Sequence, residues 1–229
     1  TDKKKTKELK HIANIDPRDA KFRKFLRDPM LVNPADAERN IYPLYSFKRC
    51  PDTEEGSRAC RRLRKRERFI PGVLYGADPV TGAPSGHDGR IFIKTPWPPL
   101  QGELTLHTHH FSSRVYDLTL YEDVDDYEGV CHRVKPQNVT EHYHPVRLYN
   151  APYCVNFVRY HPLRPISIPL RYINEDESPA MRRDGFIAPV QRYLEVIVED
   201  GAQIPLWIDV DCSGLERHDV VRLKHLIIP

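Results

Sequence analysis

The sequence predicts a mainly β protein with short helices, built as a small β-barrel followed by a second, mainly β domain and preceded by a helical N-terminal extension. The first observation is a series of short segments rich in β-branched and aromatic residues. They cover residues 73–75, 90–94, 103–107, 115–121 and 132–135. The second observation is that turn signals such as Gln101-Gly102, rather than long helical patterns, separate these segments. Short strands with little helix between them favour a closed or half-closed barrel.

A pair of prolines marks the expected boundary between the two domains. Pro162 and Pro165 lack the backbone N–H that a strand donates to its neighbour, so neither fits the interior of a sheet. Beyond them, apolar residues alternate with other residues over positions 166–170, as in a strand. We therefore expect the barrel domain over residues 55–163 and the C-terminal β domain over residues 164–229.

The first 54 residues are expected to form a basic N-terminal extension with short helices rather than a domain. Lysines crowd its start, Asp16-Pro17 is a typical helix start, and Asp28-Pro29 ends that helix. The apolar stripe between these signals is too narrow for an independent core. We therefore expect the extension to pack along a larger partner.

Composition argues against several classes of protein. At 229 residues the chain can bury one sizeable core or two modest ones, and its formal net charge is only +3. Its five cysteines are odd in number and widely spaced, which argues against a disulfide framework or a zinc finger. No apolar run reaches the roughly 18 residues that cross a bilayer, and no signal-peptide core is present. We expect a soluble protein of a reducing compartment, and Thr1 at the start leaves both organellar processing and a trimmed chain open.

Residues 58–68 form the most strongly charged segment of the chain. Seven of these residues are Arg or Lys and one, Glu67, is acidic. Good helix formers dominate residues 55–66, which predicts a helix, and an apolar strand ending at Tyr75-Gly76 follows. A solvated surface helix with internal ion pairs is the alternative, but one acid cannot pair with seven cations. The segment therefore favours contact with a polyanion, and phosphate is the commonest one.

Two histidine clusters raise a competing hypothesis, a metal-dependent cupin-like barrel enzyme. Neutral imidazoles at His107, His109 and His110, or at His142 and His144, could face an ion from one strand. The acidic residue expected downstream of the first cluster is missing, because Arg and Val occupy those positions. We therefore expect no metal.

Tyrosines and acidic residues allow two further alternatives. Tyr75 could stack on a nucleobase, whereas Tyr116, Tyr121 and Tyr127 are expected in the core. The acids of residues 122–128 could hold a divalent cation, but the segment lacks the glycine of an EF-hand loop. A solvated hairpin tip is therefore favoured for that segment.

Three blocks of motifs follow one another along the chain. Residues 56–76 contain a small-residue turn, Arg-Arg-Leu-Arg and a Pro-x-x-x-Tyr-Gly strand. Residues 134–159 contain Val-Lys-Pro-Gln-Asn-Val, His-Pro and Asn-Phe-Val-Arg, and residues 174–229 contain Asn-Glu-Asp-Glu-Ser-Pro, Ile-Asp-Val-Asp and Leu-Ile-Ile-Pro. Together they resemble the ribosomal protein L25 family, bacterial-type large-subunit proteins that bind 5S rRNA, in the long form with a CTC C-terminal domain.

This resemblance covers residues 55–229 and implies a β-barrel followed by a mainly β domain. It implies a structural constituent of a large ribosomal subunit, with rRNA (5S or large-subunit rRNA) and neighbouring ribosomal proteins as partners. It implies no catalysis, cofactor, membrane contact or small-molecule substrate. The barrel also resembles the anticodon-binding barrel of glutaminyl-tRNA synthetases, so a tRNA-binding module stays an alternative.

The residues that we predict to contact RNA combine the basic segment with polar residues that the resemblance implies on the barrel strands. Arginines on a helix can reach phosphates, while Tyr, Gln and His on strands can face the bases in a widened groove. The complete set is Arg58, Arg61, Arg62, Arg64, Lys65, Arg66, Arg68, Tyr75, Lys135, Gln137, His144 and Asn156.

The chain departs from the family pattern at several positions. Cys154 and Asn156 replace a histidine and an aspartate, which removes an imidazole donor and a carboxylate. We therefore expect phosphate contacts to outweigh base contacts, and Cys154 to be a buried thiol rather than a nucleophile. His218 replaces a glycine that the C-terminal domain usually has. These departures and the extension over residues 1–54 favour a mitochondrial ribosome, with a bacterial cytoplasm or another organelle as alternatives.

Overall fold

The computed structural model describes residues 40–77, 89–107, 110–126, 128–144, 149–162, 164–199 and 201–228. Within these ranges the protein is mainly β with short helices, and it contains a closed barrel and a second sheet. This architecture confirms the predicted fold class. The helices expected near Asp16-Pro17 and Asp28-Pro29 lie outside the described residues.

Six strands form the barrel: β1 (Ile41–Lys48), β2 (Phe69–Tyr75), β3 (Ile91–Pro96), β4 (Val115–Tyr121), β5 (Val130–His144) and β6 (Tyr149–Arg159). Around the barrel their order is β1-β3-β2-β6-β5-β4. Between the strands lie the helices α1 (Pro51–Glu54), α2 (Ser57–Arg62) and α3 (Trp97–Leu106), and a π-helical turn (Leu63–Glu67) follows α2. Each barrel strand pairs with a neighbour on both sides, so the sheet closes on itself.

The barrel closes between its first and fourth strands. β1 runs parallel to β4 over seven residue pairs, starting with Ile41 opposite Val115. Strand β1 lies within residues 1–54, which we expected to form an extension outside the barrel. The barrel therefore includes the C-terminal part of that segment. The physical reason is burial, because Ile41 and Phe47 are at most 1% exposed. Pro43 obscures the pattern in the sequence, since proline is unusual inside a strand.

The sequence predicts a strand at residues 103–107, and this prediction is wrong. Helix α3 extends through Leu106, and prolines occupy its first turn, where a missing N–H removes no helical hydrogen bond. Leu100 and Leu104 are one helical turn apart, and both belong to the buried cluster inside the barrel. Their shared packing favours a helix over the alternation that Leu104 and Leu106 suggest.

The barrel interior is a continuous apolar cluster. Ile70, Leu74, Ile93, Tyr116 and Phe157 are fully buried in it. Side chains of this size each stabilise the fold by roughly 1.5–3 kcal/mol through the loss of contact with water. The inward face of every barrel strand is therefore committed to packing, and only the outward face is available for binding.

The second sheet contains β7 (Ile166–Ile173), β8 (Tyr193–Val196), β9 (Ile208–Asp211) and β10 (Leu226–Ile227), in the order β10-β9-β7-β8. Ile166 and Ile168 share a buried cluster with Ile41 and Val115 of the barrel, so apolar side chains join the two sheets. The expected boundary between residues 163 and 164 falls in the connection from β6 to β7. The division into domains at this point stays a prediction.

One departure from the family pattern is visible in the backbone. His218 has φ +74°, a left-handed conformation that glycine adopts more easily than any other residue. The backbone at His218 therefore has the conformation that suits the glycine implied by the resemblance.

The described helices are all short. None of them is long and apolar enough to cross a lipid bilayer.

Candidate nucleic-acid interface

The basic segment forms two consecutive helical pieces rather than one regular helix. Gly56, with φ +90°, precedes α2, and the π-helical turn that follows α2 ends at Arg68, which has φ +62°. Leu63 is fully buried and packs with Phe47 and Phe69. This single apolar anchor fixes the segment to the barrel, so most of its cations face outwards.

The seven cations of the segment have different surroundings. Four of them are exposed and lie on α2 or the π-helical turn: Arg58, Arg61, Lys65 and Arg66. Arg62 is exposed too, but it donates to the Thr53 carbonyl oxygen over 3.1 Å and lies 3.4 Å from a Glu67 carboxylate oxygen. The four exposed cations are therefore the strongest candidates for phosphate contacts.

The other two arginines of the segment lie against aromatic rings. The guanidinium carbon of Arg68 is 4.9 Å from the centroid of the Trp97 ring, and that of Arg64 is 3.6 Å from the centroid of the Tyr153 ring. Such cation–π contacts hold a guanidinium in one orientation. Arg64 and Arg68 therefore each have an aromatic partner on the barrel domain.

A depression of about 360 Å³ crosses the outer face of the barrel next to the basic segment. Residues of strands β2, β3, β5 and β6 line the depression, together with Arg90 just before β3. The strand residues are Val73, Tyr75, Phe92, Asn138 and Asn156. Partial burial raises the pKa of the Tyr75 hydroxyl, which therefore stays protonated and able to donate at neutral pH. Two sequence-predicted residues, Tyr75 and Asn156, come together here.

Asn156 completes the join between β2 and β6. These strands pair only at Leu74 with Phe157 and at Tyr75 with Val158. One residue before this short ladder, the Asn156 side-chain oxygen accepts a hydrogen bond from the Val73 N–H over 3.1 Å. The side-chain oxygen therefore has a structural partner, and the amide NH₂ of Asn156 is the group left to donate to a ligand.

Gln137 lies at a β-bulge near the same depression. The pairing of β5 with β6 steps from Pro136 opposite Phe157 to Asn138 opposite Asn156, so Gln137 is the extra residue. It is exposed. Bulges commonly redirect side chains at functional sites, and here the bulge interrupts the alternation of inward and outward residues.

Arg49 links the depression to the basic segment, and the sequence analysis missed it. Its guanidinium carbon lies 5.0 Å from the centroid of the Phe92 ring, and its Nη1 donates to the Cys60 thiol sulfur over 3.4 Å. Arg90 and Asn138 were also missed. Arg90 immediately precedes β3, which pairs with the strand of Tyr75, and Asn138 follows Gln137 in β5. These positions were the available signal, but strand order cannot be deduced from the motifs alone.

Lys135 is a predicted RNA-contacting residue that the structure places away from this arrangement. Lys135 is half-buried, and burial lowers the pKa of its ammonium group, opposed by the attraction of the Glu195 carboxylate on β8. Lys135 thus lies near the second sheet rather than in the depression. The side chain of His144 lies outside the described residues.

The other motifs considered from the sequence can also be located. Tyr116 is fully buried and donates to Glu103, as expected of a core tyrosine, and the centroid of the Tyr121 ring lies 5.8 Å from that of Phe47. Tyr127 is outside the described residues. In the part of the chain that the structure describes, no three His, Cys, Asp or Glu side chains lie together as metal ligands would. His109 is not among those residues.

Cys154 is surrounded by groups of the candidate interface. Burial raises the pKa of its thiol, opposed by the positive charges of Arg49 and Arg64. Its Sγ lies 3.7 Å from the side-chain oxygen of Asn156. A raised pKa leaves little thiolate at neutral pH, which is the opposite of what a cysteine nucleophile needs.

Alkylation by iodoacetamide is expected to be several-fold slower at Cys154 than at Cys50 and Cys131 at neutral pH. Cys50 and Cys131 are exposed, whereas Cys154 is partly buried, and the raised pKa of Cys154 lowers its own share of thiolate. Mass spectrometry of tryptic peptides after timed labelling measures the three rates, and the buried Cys212 serves as the slow reference. Fastest labelling of Cys154 would contradict the expectation and favour a reactive thiol.

The fold and the site define a β-barrel protein in which a short basic helix and the adjoining strand face form one polar surface. No family model matches the chain. Curated relatives do match, and all those described next are named large ribosomal subunit protein bL25. The relative from Rhodospirillum rubrum is 29% identical over 178 residues, which are 77% of this chain and 74% of the relative.

Two further relatives have similar coverage. The protein from Gluconobacter oxydans is 28% identical over 174 residues, which are 75% of this chain and 70% of that relative. The protein from Marinobacter nauticus is 29% identical over 186 residues, which are 78% of this chain and 75% of that relative. These comparisons confirm the resemblance to the ribosomal protein L25 family that the sequence motifs indicate.

Proposed function

We propose that this protein is a structural constituent of the large ribosomal subunit and that it binds rRNA through the surface formed by the basic segment and the barrel depression. One observation supports this most directly. Four exposed cations on α2 and the π-helical turn lie beside a depression that offers the Tyr75 hydroxyl and the amides of Asn138 and Asn156. The similarity to bL25 proteins agrees with this role.

The two parts of the surface suit two kinds of RNA contact. Arg58, Arg61, Lys65 and Arg66 can approach phosphates, which dominate affinity but carry no sequence information. The depression offers hydrogen-bond donors and a tyrosine ring, which suit base edges and riboses in a widened groove. The rigid barrel strands underneath hold these groups in place before RNA arrives, which reduces the entropy that binding costs.

5S rRNA is the RNA that we propose first, because the motifs of residues 56–76 and 134–159 resemble those of 5S-binding proteins. The replacements at Cys154 and Asn156 weaken base recognition in this proposal. Asn156 keeps an acceptor for the Val73 N–H, but it has no negative charge. We therefore assign most of the affinity to phosphate contacts.

Neighbouring large-subunit proteins are the further partners that we propose, and the second sheet is the natural place for them. The mitochondrial setting stays part of the proposal and rests on the departures at Cys154, Asn156 and His218 and on residues 1–54. The relatives described above are bacterial. Imaging of a fluorescently tagged full-length protein in its own cells tests the setting, and exclusion from mitochondria would refute it.

Neutralising the four exposed cations is expected to flatten the salt dependence of RNA binding. The variant carries Arg58→Gln, Arg61→Gln, Lys65→Gln and Arg66→Gln. Removing one phosphate contact lowers the slope of log affinity against log salt by about 0.7–0.9, so the slope of the variant should be smaller by about 3. Titration of 5S rRNA, large-subunit rRNA and tRNA with each protein at several salt concentrations measures this slope for each RNA.

The matched control removes the same number of positive charges elsewhere. It carries Arg182→Gln, Arg183→Gln, Arg217→Gln and Lys224→Gln, all at exposed positions between or beyond the strands of the second sheet. Its slope should stay near that of the wild type. Equal decreases in both variants would show a non-specific charge effect and refute the proposed surface. Tightest binding to tRNA would favour the tRNA-binding module, and tightest binding to large-subunit rRNA would reassign the partner.

A further inference from the structure

The hairpin of β5 and β6 carries a stack of three side chains next to the basic segment. The guanidinium carbon of Arg64 lies 3.6 Å from the centroid of the Tyr153 ring. The centroid of the His142 ring lies 4.2 Å from the same centroid, and the two rings are inclined by 23°. We call this set, Arg64, Tyr153 and His142, the stacked column.

The two outer members lie on opposite faces of Tyr153. A guanidinium at 3.6 Å and an imidazole at 4.2 Å from one centroid would overlap if they shared a face. Both faces of the tyrosine are therefore covered, and the column ends at His142. His142 is exposed, and the face of its ring that is turned away from Tyr153 has no stacking partner among the described residues.

A second β-bulge directs Tyr153 into this position. The pairing of β5 with β6 steps from Thr140 opposite Cys154 to Glu141 opposite Pro152, so Tyr153 is the extra residue on β6. It is 38% exposed, whereas Pro152 beside it is buried. The strand departs from regular pairing at the residue that reaches Arg64, and bulges are often found where a side chain is redirected next to a functional site.

The column has a chemical composition that suits unpaired nucleobases. Proteins that bind exposed bases stack them on aromatic rings and on arginine planes, and the phosphates lie along nearby cations. Here the terminal ring is aromatic, the ring beneath it is held in place by a cation, and the exposed cations of the basic segment are on the same side of the barrel as Arg64. A flat ring that is exposed and immobilised offers a stacking surface at little entropic cost.

We propose that the outer face of His142 stacks one unpaired base of the bound RNA, so that the β5–β6 hairpin adds a base contact to the phosphate contacts of the basic segment. This inference rests on the proposed function, since it assumes that the protein binds rRNA. It places base stacking away from the barrel depression and assigns it to residues outside the predicted set. In this arrangement Arg64 is a positioning residue for the column.

His142→Ala is expected to weaken binding to a 5S rRNA transcript or to large-subunit rRNA by about ten-fold, in line with the removal of one stacked base. The slope of log affinity against log salt should not change, because stacking releases no counterions. His142→Phe keeps a flat ring and should restore affinity to within about two-fold. Tyr143→Ala is the matched control, because Tyr143 is 61% exposed and adjacent in the same strand, so its side chain points to the opposite face.

The outcomes separate this inference from the proposed function. If the wild type binds rRNA with a steep salt slope and His142→Ala binds equally well, the stacking site is refuted while the phosphate surface stands. An equal decrease in affinity for Tyr143→Ala would also refute it, because a general effect on the hairpin would then explain both. If the wild type binds neither RNA, the proposed function and this inference fall together. Matching thermal unfolding curves for the variants confirm that each is folded.

Discussion

Gly72→Ala is expected to prevent the barrel from closing normally. A Cβ atom at this position would lie 1.9 Å from the backbone carbonyl oxygen of Val155, far inside van der Waals contact. The obstacle is backbone, so no side-chain rotamer can relieve it. Strand β2 would have to move away from β6, and their short parallel ladder would be broken.

The expected cost is at least about 3 kcal/mol in the free energy of unfolding, the upper end of what overpacking usually costs. Urea unfolding followed by circular dichroism measures it. Gly102→Ala is the matched control, because nothing lies within 4 Å of a Cβ there and the residue is inside α3. That change should stabilise the protein by about 0.5–1 kcal/mol. Equal midpoints for Gly72→Ala and the wild type would contradict the packing argument.

Glu103→Ala is expected to be the next most damaging single change. Glu103 on α3 accepts a hydrogen bond from Arg114 over 3.0 Å and from the Tyr116 hydroxyl over 3.1 Å. The Arg114 side chain is only 3% exposed, whereas that of Glu103 is 27% exposed. Removing the carboxylate leaves the buried guanidinium without an anionic partner among the described residues. Its carbon then has only the Tyr42 ring at 3.6 Å and the more distant Tyr116 ring at 5.8 Å as described cation–π contacts.

Leaving a buried charge without its partner typically costs about 3–5 kcal/mol, and the partial exposure of Glu103 favours the lower value. The double change of Glu103→Leu with Arg114→Met should recover much of the stability, since no unpaired charge remains. Asp117→Ala offers a comparison, because it breaks the more exposed pair with Arg133. For Asp117→Ala we expect a loss of about 1 kcal/mol or less in the free energy of unfolding. Similar unfolding midpoints for Glu103→Ala and Asp117→Ala would contradict the burial argument.

Strands with strong alternation could be predicted from the sequence, whereas elements fixed by distant contacts could not. β4 occupies the predicted residues 115–121 because Tyr116, Leu118 and Leu120 alternate into one core. Residues 103–107 alternate over a shorter length, and the packing of Leu100 with the barrel core made them helical instead. Sequence spacing alone does not contain that contact.

The candidate interface was predictable in its charge but not in its geometry. Residues 58–68 stood out because of their cations, and their helical form follows from their composition. The bulges at Gln137 and Tyr153 depend on how β5 pairs with β6 and leave no mark in either strand alone. For the same reason, the contact of Arg64 with Tyr153 was not foreseen. Arg64, which we expected to contact phosphate, packs its guanidinium group on the Tyr153 ring in the structure.

The pairing of β1 with β4 also has a kinetic meaning. Ile41 lies opposite Val115, and β2 and β3 are already in the chain between them. Contacts between residues so distant in sequence require a large loop to close before they give any stabilisation, which slows folding. During synthesis β1 is made before β4, so the apolar residues of β1 have no native partner strand until β4 has been synthesised. The barrel therefore closes late in folding. Until β4 pairs with β1, the apolar residues of β1 are exposed and can associate with other chains.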